Sequence, residues 1–235
     1  MISVEGLQKK FGKNSVLKGI DLKIERPGIY AILGPNGSGK TTVIKSILGM
    51  VVPSGGQIEV FGQNISKRWK YRRELNYLPQ IANFPGNLKV GELLNMIKDL
   101  RKMPSEEEHL IELFGLKPFL KSKLANLSGG TKQKVNIVIT LMFNGQLLIL
   151  DEPTTGLDPT ALIVLKELIK KEKAKGKVIL ITTHIMEFVE EMADEIVYLL
   201  EGKIYFQGTI KELTERTNQS DFQHAIVEIS TTQHA

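Results

Sequence analysis

The chain has 235 residues, 42% hydrophobic and 24% charged, with 31 Lys and Arg against 26 Asp and Glu for a formal net charge of +5. With no cysteine, disulfides, thiolate metal sites and cysteine nucleophiles are excluded, and a cytosolic setting fits. No apolar run approaches the roughly 18 residues that cross a bilayer, and MISVEGLQKKFG lacks the charged-then-apolar layout of a signal peptide, so the chain is expected not to cross a membrane by itself.

In chain order, residues 2–8 and 17–25 are expected to pair as strands around the turn residues Gly12, Lys13 and Asn14. A buried strand over 29–33 precedes a glycine-rich loop, a helix over 40–48 follows it, and Gly55-Gly56 introduces a strand over 57–61. KRWKYRRE, 67–74, mixes basic and aromatic residues. It reads as a surface helix rather than a nucleic-acid site, because no further basic–aromatic platform accompanies it. The positive excess could suit nucleic acid or an anionic membrane surface, but the basic residues are spread widely rather than concentrated in one block, as on solvated faces.

From about 87 to 140 apolar residues recur at helical spacing, in VGELLNMIKDLRKM and SEEEHLIELFGL, with Ser105 and Glu108 as a capping box. This reads as a helical insertion. Then come an apolar strand in GQLLILDEP, a helix over 159–174 whose LKELIKKEKAKGK is a solvated face, a strand in KVILITTH, a helix in IMEFVEEMADE, a hairpin in EIVYLLEGKIYFQG and a short helix. The tail after Arg216 is polar, with AIVEIS as an added edge strand. Apolar strands alternating with helices predict an α/β fold with a mostly parallel sheet covered on both faces. One domain over 1–218 and a short tail over 219–235 are expected.

Three stretches carry chemistry. Gly34, Pro35, Asn36, Gly37, Ser38, Gly39, Lys40 and Thr41 fit G-x-x-x-x-G-K-[ST]. In that pattern backbone N–H groups curl around phosphates, the lysine reaches the β- and γ-phosphates, and the hydroxyl is placed to ligate Mg²⁺. Thr42 continues the loop into its helix. The strand ending Asp151-Glu152 presents two carboxylates where ligands bind in parallel sheets; Asp151 is expected to hold magnesium and Glu152 to orient or deprotonate water. Leu127-Ser128-Gly129-Gly130 precedes a helical segment and forms a second anion-binding end. Two phosphate-grade sites in one chain are explained by a ligand clamped between two copies.

LSGG at 127–130, in order with these motifs, resembles the ATP-binding subunits of ABC transporters over roughly residues 2–215. The resemblance implies that Phe11 stacks on adenine with Val16 beside the nucleotide. It implies that Gln80 of NYLPQ reaches magnesium and the attacking water, that Asp158 of Gly156-Leu157-Asp158-Pro159 lies in a loop crossing a dimer interface, and that His184 contacts the γ-phosphate. Thr131 and Lys134 stand where many members carry Gln and Arg, and Lys134 keeps the charge but loses the planar fork.

The implied fold is a P-loop NTPase core with an N-terminal antiparallel β subdomain and a helical insertion carrying LSGG. The implied activity is hydrolysis of ATP with Mg²⁺ by a head-to-tail dimer, of identical or related chains, that drives a separate integral membrane subunit from the cytoplasmic face. That subunit is expected to dock between Gln80 and Ser128. LPQIANFPGNLKVGELLNMIKDL resembles the export-type branch, among whose specialisations is copper-processing or respiratory-enzyme maturation. No nucleic-acid partner is expected. The rival is a soluble regulatory or assembly ATPase with no membrane partner. Long coiled-coil arms, a second cassette and an N-K-x-D segment are all missing, which sets aside genome-maintenance ATPases, translation factors and GTPases.

Overall fold

The computed structural model describes residues 1–231. Two sheets form the frame. The first is antiparallel, with β1 (Ile2–Phe11) between β2 (Asn14–Ile24) and β4 (Gly55–Val60), and the short β5 (Gln63–Asn64) outside β4. Ile2, Val4 and Leu7 of β1 are all buried. A register shift between Val4 and Leu7 changes the alternation so that one strand keeps both ends of its apolar face inward.

The second sheet has six strands in the order β10-β9-β3-β8-β7-β6. They are β3 (Gly28–Leu33), β6 (Leu75–Leu78), β7 (Leu147–Asp151), β8 (Val178–Thr182), β9 (Glu195–Leu200) and β10 (Lys203–Gly208). All pairings are parallel except β9 with β10. Every residue of β3, β7 and β8 is buried, as strands with both faces covered require. One face packs against the first sheet and α1 (Lys40–Ile47). The other meets α5 (Pro159–Ala174) and the helical insertion, made of α2 (Val90–Arg101), α3 (Glu107–Leu113) and α4 (Gly129–Leu141). In register, Ile32 and Asp151 both lie opposite Thr182. The loops leaving β3, β7 and β8 therefore emerge at one edge, the ligand edge of a parallel sheet.

β6 is an edge strand, and the insertion closes it. Arg101, at the end of α2, donates to Leu75 O and Asn76 Oδ1, each at 3.0 Å. Asn76 Nδ2 donates to Phe143 O at 2.6 Å. Carbonyls with no strand partner are satisfied, and the strand leading to Gln80 is fixed.

Three local expectations change. Ser105 and Glu108 form no capping box: the Ser105 hydroxyl donates to Glu107 Oε2 at 2.6 Å, and Ser105 bridges to Phe143. Of residues 67–74, only Lys70–Glu74 is helical, as a single 3₁₀ stretch. AIVEIS is not an edge strand but lies in α8 (Phe222–Thr231), behind α6 (Met186–Met192) and α7 (Ile210–Thr217) in sequence. Phe222, Ala225, Ile226 and Ile229 repeat at helical spacing and are buried with Leu213 and Tyr198. The tail positions 232–235 lie outside the described residues. Because Phe222 is 1% exposed, Phe222→Ala is expected to destabilise the chain by about 3–5 kcal/mol. Urea unfolding measures this, and a loss under ~1 kcal/mol would mean that α8 is not part of the cooperative core.

Candidate functional site: a phosphate loop, an acidic strand end and a separate glycine corner

The phosphate loop is shaped by space as much as by sequence. Gly34 has φ 142°, and a Cβ there would lie 1.9 Å from Leu199 O, so any side chain would break the contact between loop and β9. Ser38 N donates to Pro35 O at 3.2 Å and Val43 N to Gly39 O at 2.9 Å, carrying the turn directly into α1. The first turn of α1 has no acidic residue, which leaves its N-terminal partial charge unneutralised. The Ser38 hydroxyl is buried without a hydrogen-bond partner among the described residues.

Lys40 curls back over this loop, its ammonium donating to Gly34 O at 2.6 Å and Pro35 O at 3.1 Å. Burial lowers its pKa from the ordinary value, with Glu152 and Asp151 acting in the opposite sense. Both acids thus lie within electrostatic reach of the ammonium. Asp151 is buried at the end of β7 and accepts a hydrogen bond from the Thr182 hydroxyl. Nearby Tyr77 is pushed up to about 12, first by burial and then by Asp151, so its phenol stays neutral.

Glu152 adopts φ 50°, a conformation that costs of order 1–3 kcal/mol for a residue with a Cβ. Its backbone N–H donates to Thr182 O at 3.0 Å and Thr182 Oγ1 at 3.2 Å, which holds the turn. The strained turn aims the carboxylate at His184: Nδ1 and Oε2 are 2.9 Å apart, with the His184 side chain 78% exposed and that of Glu152 12%.

A cavity of about 310 Å³ unites these parts. Val16, Asn36, Gly37, Gly39, Lys40, Thr41, Thr42, Gln80, Asp151 and Glu152 line it, together with Asn14. Sequence reasoning read Asn14 only as a turn residue. It faces Phe11 in the β1–β2 register, and its hairpin position gave no sign of the cavity. Phe11 is 52% exposed and does not line the cavity; the Lys9 ammonium lies 4.8 Å from its ring centroid and donates to Val52 O at 2.7 Å.

The glycine motif of α4 is built elsewhere. Ser128 caps α4, its hydroxyl accepting from Thr131 N at 3.2 Å. A Cβ on Gly130 would lie 2.6 Å from Gly156 O, so only glycine lets α4 touch the loop before α5. Asp158 caps α5 by accepting from Ala161 N at 2.9 Å, and Lys134 Nζ reaches its other oxygen at 2.5 Å. The Lys134 contact, then the Ala161 N–H, hold the Asp158 carboxyl below its ordinary range. A lysine therefore makes the cross-link without the arginine fork. Ser128 and Thr131 border a second groove, of about 560 Å³, flanked by Lys89, Lys121 and Lys123. None of 128–130 or 158 lines the Lys40 cavity. Within one chain the structure thus assembles Lys40, Thr41, Gln80, Asp151 and Glu152 with His184 adjoining, and keeps 128–130 with 156–158 as a separate corner.

The sequence pattern described as "ABC transporter" matches residues 17–155. The chain is 33% identical over 219 residues to "Nod factor export ATP-binding protein I" of Ralstonia nicotianae, covering 91% of this chain and 68% of that one. It is 35% identical over 211 residues to "Lantibiotic transport ATP-binding protein SrtF" of Streptococcus pyogenes, covering 88% and 90%. A solved structure described as an ATP binding subunit of an ABC transporter superposes with a TM-score of 0.90 at 31% identity, over 98% of this chain and 99% of that one. A nucleotide-free ATP-binding cassette shares the fold at 23% identity, with a TM-score of 0.80. The pattern spans the cavity residues from Asn36 to Glu152, relatives and fold agree with it over most of the chain, and the chain belongs to the ABC transporter family as an ATP-hydrolysing ATP-binding subunit.

Proposed function

We propose that the chain hydrolyses Mg²⁺-bound ATP as the motor subunit of an exporter, closing head to tail on a second ATP-binding chain and working on a separate integral membrane subunit. The observation that carries this reading is the separation of the two phosphate-binding surfaces. The Lys40 loop, Gln80, Asp151 and Glu152 line one cavity, and Ser128 to Gly130 line none of it. A second chain supplies its 128–130 corner to that cavity, and Asp158, tied to α4 through Lys134, moves with that corner.

The donor set at the cavity fits magnesium. A Thr41 hydroxyl, a Gln80 amide and an Asp151 carboxylate are hard oxygen donors lining one space. No cluster of three or more His, Cys, Asp and Glu that could form a dedicated cage exists among the described residues. That suits an ion sharing its shell with phosphates and water. Thr41, Gln80 and Asp151 would hold it, and when bound it neutralises charge on the β- and γ-phosphates.

Lys40 binds the same phosphates, exchanging its bonds to Gly34 O and Pro35 O for phosphate oxygens. Val16, in the lining, meets the base side of the nucleotide, and Phe11, exposed outside the lining, is the ring left to stack on the base where it leaves the cavity. Glu152 orients a water and takes its proton as the water oxygen bonds to the γ-phosphorus and the bond to the ADP oxygen breaks. His184 orients the Glu152 carboxylate and donates to the transferring phosphoryl group.

No helix among the described residues is long and apolar enough to cross a membrane, so transport requires a separate subunit that holds this chain at the cytoplasmic face. A groove of about 290 Å³ between Ile81–Phe84 and Leu124–Ala125, with Ile81 74% exposed, offers the docking surface. The export direction rests on the relatives named for Nod factor export and lantibiotic transport. The test uses the Glu152→Gln chain, expressed in its native host, trapped with ATP and isolated from solubilised membranes. A stoichiometric multi-span protein identified by mass spectrometry is expected. A soluble dimer with no such companion would favour the regulatory or assembly ATPase instead.

A further inference from the structure

Between β5 and β6 the chain runs Lys67-Arg68-Trp69-Lys70-Tyr71-Arg72-Arg73, five cations in seven positions. All seven residues but Tyr71 are exposed. None of the five cations forms an ion pair among the described residues.

The segment is held in place. The Tyr71 hydroxyl donates to Ile47 O at 2.9 Å and Arg72 Nη2 to Gly49 O at 2.8 Å, fastening it to the end of α1. Met50 and Val52, just beyond that anchor, are 63% and 77% exposed, and Trp69 is 58% exposed with the Arg73 guanidinium 5.9 Å from its ring centroid. The anchored segment thus carries exposed cations and an exposed indole, and the anchor it is tied to leads into two exposed aliphatic side chains.

We infer that this surface contacts anionic lipid headgroups directly, its cations against the phosphates and Trp69 seated at the interface. Tryptophan settles where an apolar body and a polar N–H are both satisfied, and basic residues beside an anionic leaflet are drawn to it over about a Debye length. Single-stranded nucleic acid would need successive stacking aromatics, whereas this segment exposes a single indole and its other aromatic, Tyr71, is buried. The contact is the chain's own and does not depend on which membrane subunit accompanies it.

Trp69 is the only tryptophan in the chain, so its fluorescence reports this site alone. The purified full chain is titrated with vesicles of phosphatidylcholine mixed with phosphatidylglycerol, and with phosphatidylcholine alone. A blue shift with the mixed vesicles only, reversed by high salt, is expected. The Lys67→Gln, Arg68→Gln, Lys70→Gln triple variant keeps its soluble ATPase rate, which shows that it is folded. Its partitioning, followed by co-sedimentation, falls on the order of 100-fold, about fivefold per cation removed. An unshifted Trp69 spectrum, or a triple variant that partitions as well as the parent, overturns the inference. So does a shift produced by polyglutamate or by single-stranded oligonucleotide but not by vesicles, which would assign the surface to an acidic protein segment or to nucleic acid.

Discussion

Glu152→Gln is expected to lower ATP turnover by about 10²–10⁴-fold, the range contributed by a positioned proton acceptor, while ATP still drives two chains together. Glutamine keeps the length and shape of the side chain. The turn that aims it is fixed by backbone bonds to Thr182, from N to O at 3.0 Å and from N to Oγ1 at 3.2 Å, and these are unaffected by the change. What is lost is the carboxylate that accepts the proton of the attacking water. The phosphate contacts of Lys40 and the loop remain, so the ATP-bound, closed state persists for want of hydrolysis. Phosphate release and size-exclusion chromatography with ATP separate the two effects. Turnover retained within about tenfold would place the proton acceptor elsewhere and leave the 2.9 Å contact between His184 and Glu152 as an orienting bond with no base to orient.

The parts of this site legible in the sequence are those in which chemistry is local. Gly34 to Thr41 carries its own turn, and Asp151 ends a wholly apolar run of strand length set between Gly145 and Pro153. A buried parallel strand then fixes which end faces ligand. The features that depend on contacts distant in sequence were harder. Lys134 looked like a weakened substitute for arginine. Its partner Asp158 is 24 residues on, and only the approach of Gly130 to Gly156 O brings the two within 2.5 Å. Asn14 joins the cavity because β2 starts there, a consequence of hairpin register rather than of any motif.

The same logic explains the misread tail. AIVEIS contains a short apolar run that fits either a strand or a buried helix. The deciding residue, Phe222, lies outside the hexapeptide and completes a helical stripe with Ala225, Ile226 and Ile229. At Ser105 the capping pattern lost to tertiary structure. The Ser105 hydroxyl is drawn to Glu107, which also pairs with Lys98, so α3 starts without a side-chain cap. In the tail the deciding residue lay just outside the stretch that was read, and at Ser105 a neighbour two positions on and the bridge to Phe143 outweigh the capping pattern.

Lys40→Met is expected to reduce turnover by about 10²–10³-fold, the usual effect of removing one preorganised group at developing phosphate charge. It is also expected to abolish the rise in thermal midpoint that ATP produces. The wild-type rise follows from mass action: nucleotide at 100 times its Kd adds about 2.7 kcal/mol to folding stability. The nucleotide-free variant should unfold near the wild-type midpoint because two changes offset. Methionine forfeits the bonds to Gly34 O and Pro35 O. It also removes a half-buried charge whose pKa is lowered chiefly by desolvation, and so removes a cost that the folded state carries. A charge held against desolvation, with two backbone carbonyls as temporary partners, suits a group that must be ready to leave them for phosphate. If the variant instead unfolded well below wild type while retaining ATP-dependent stabilisation, Lys40 would be a structural clip of the loop. The phosphate would then be held by backbone N–H groups and the α1 N-terminus alone.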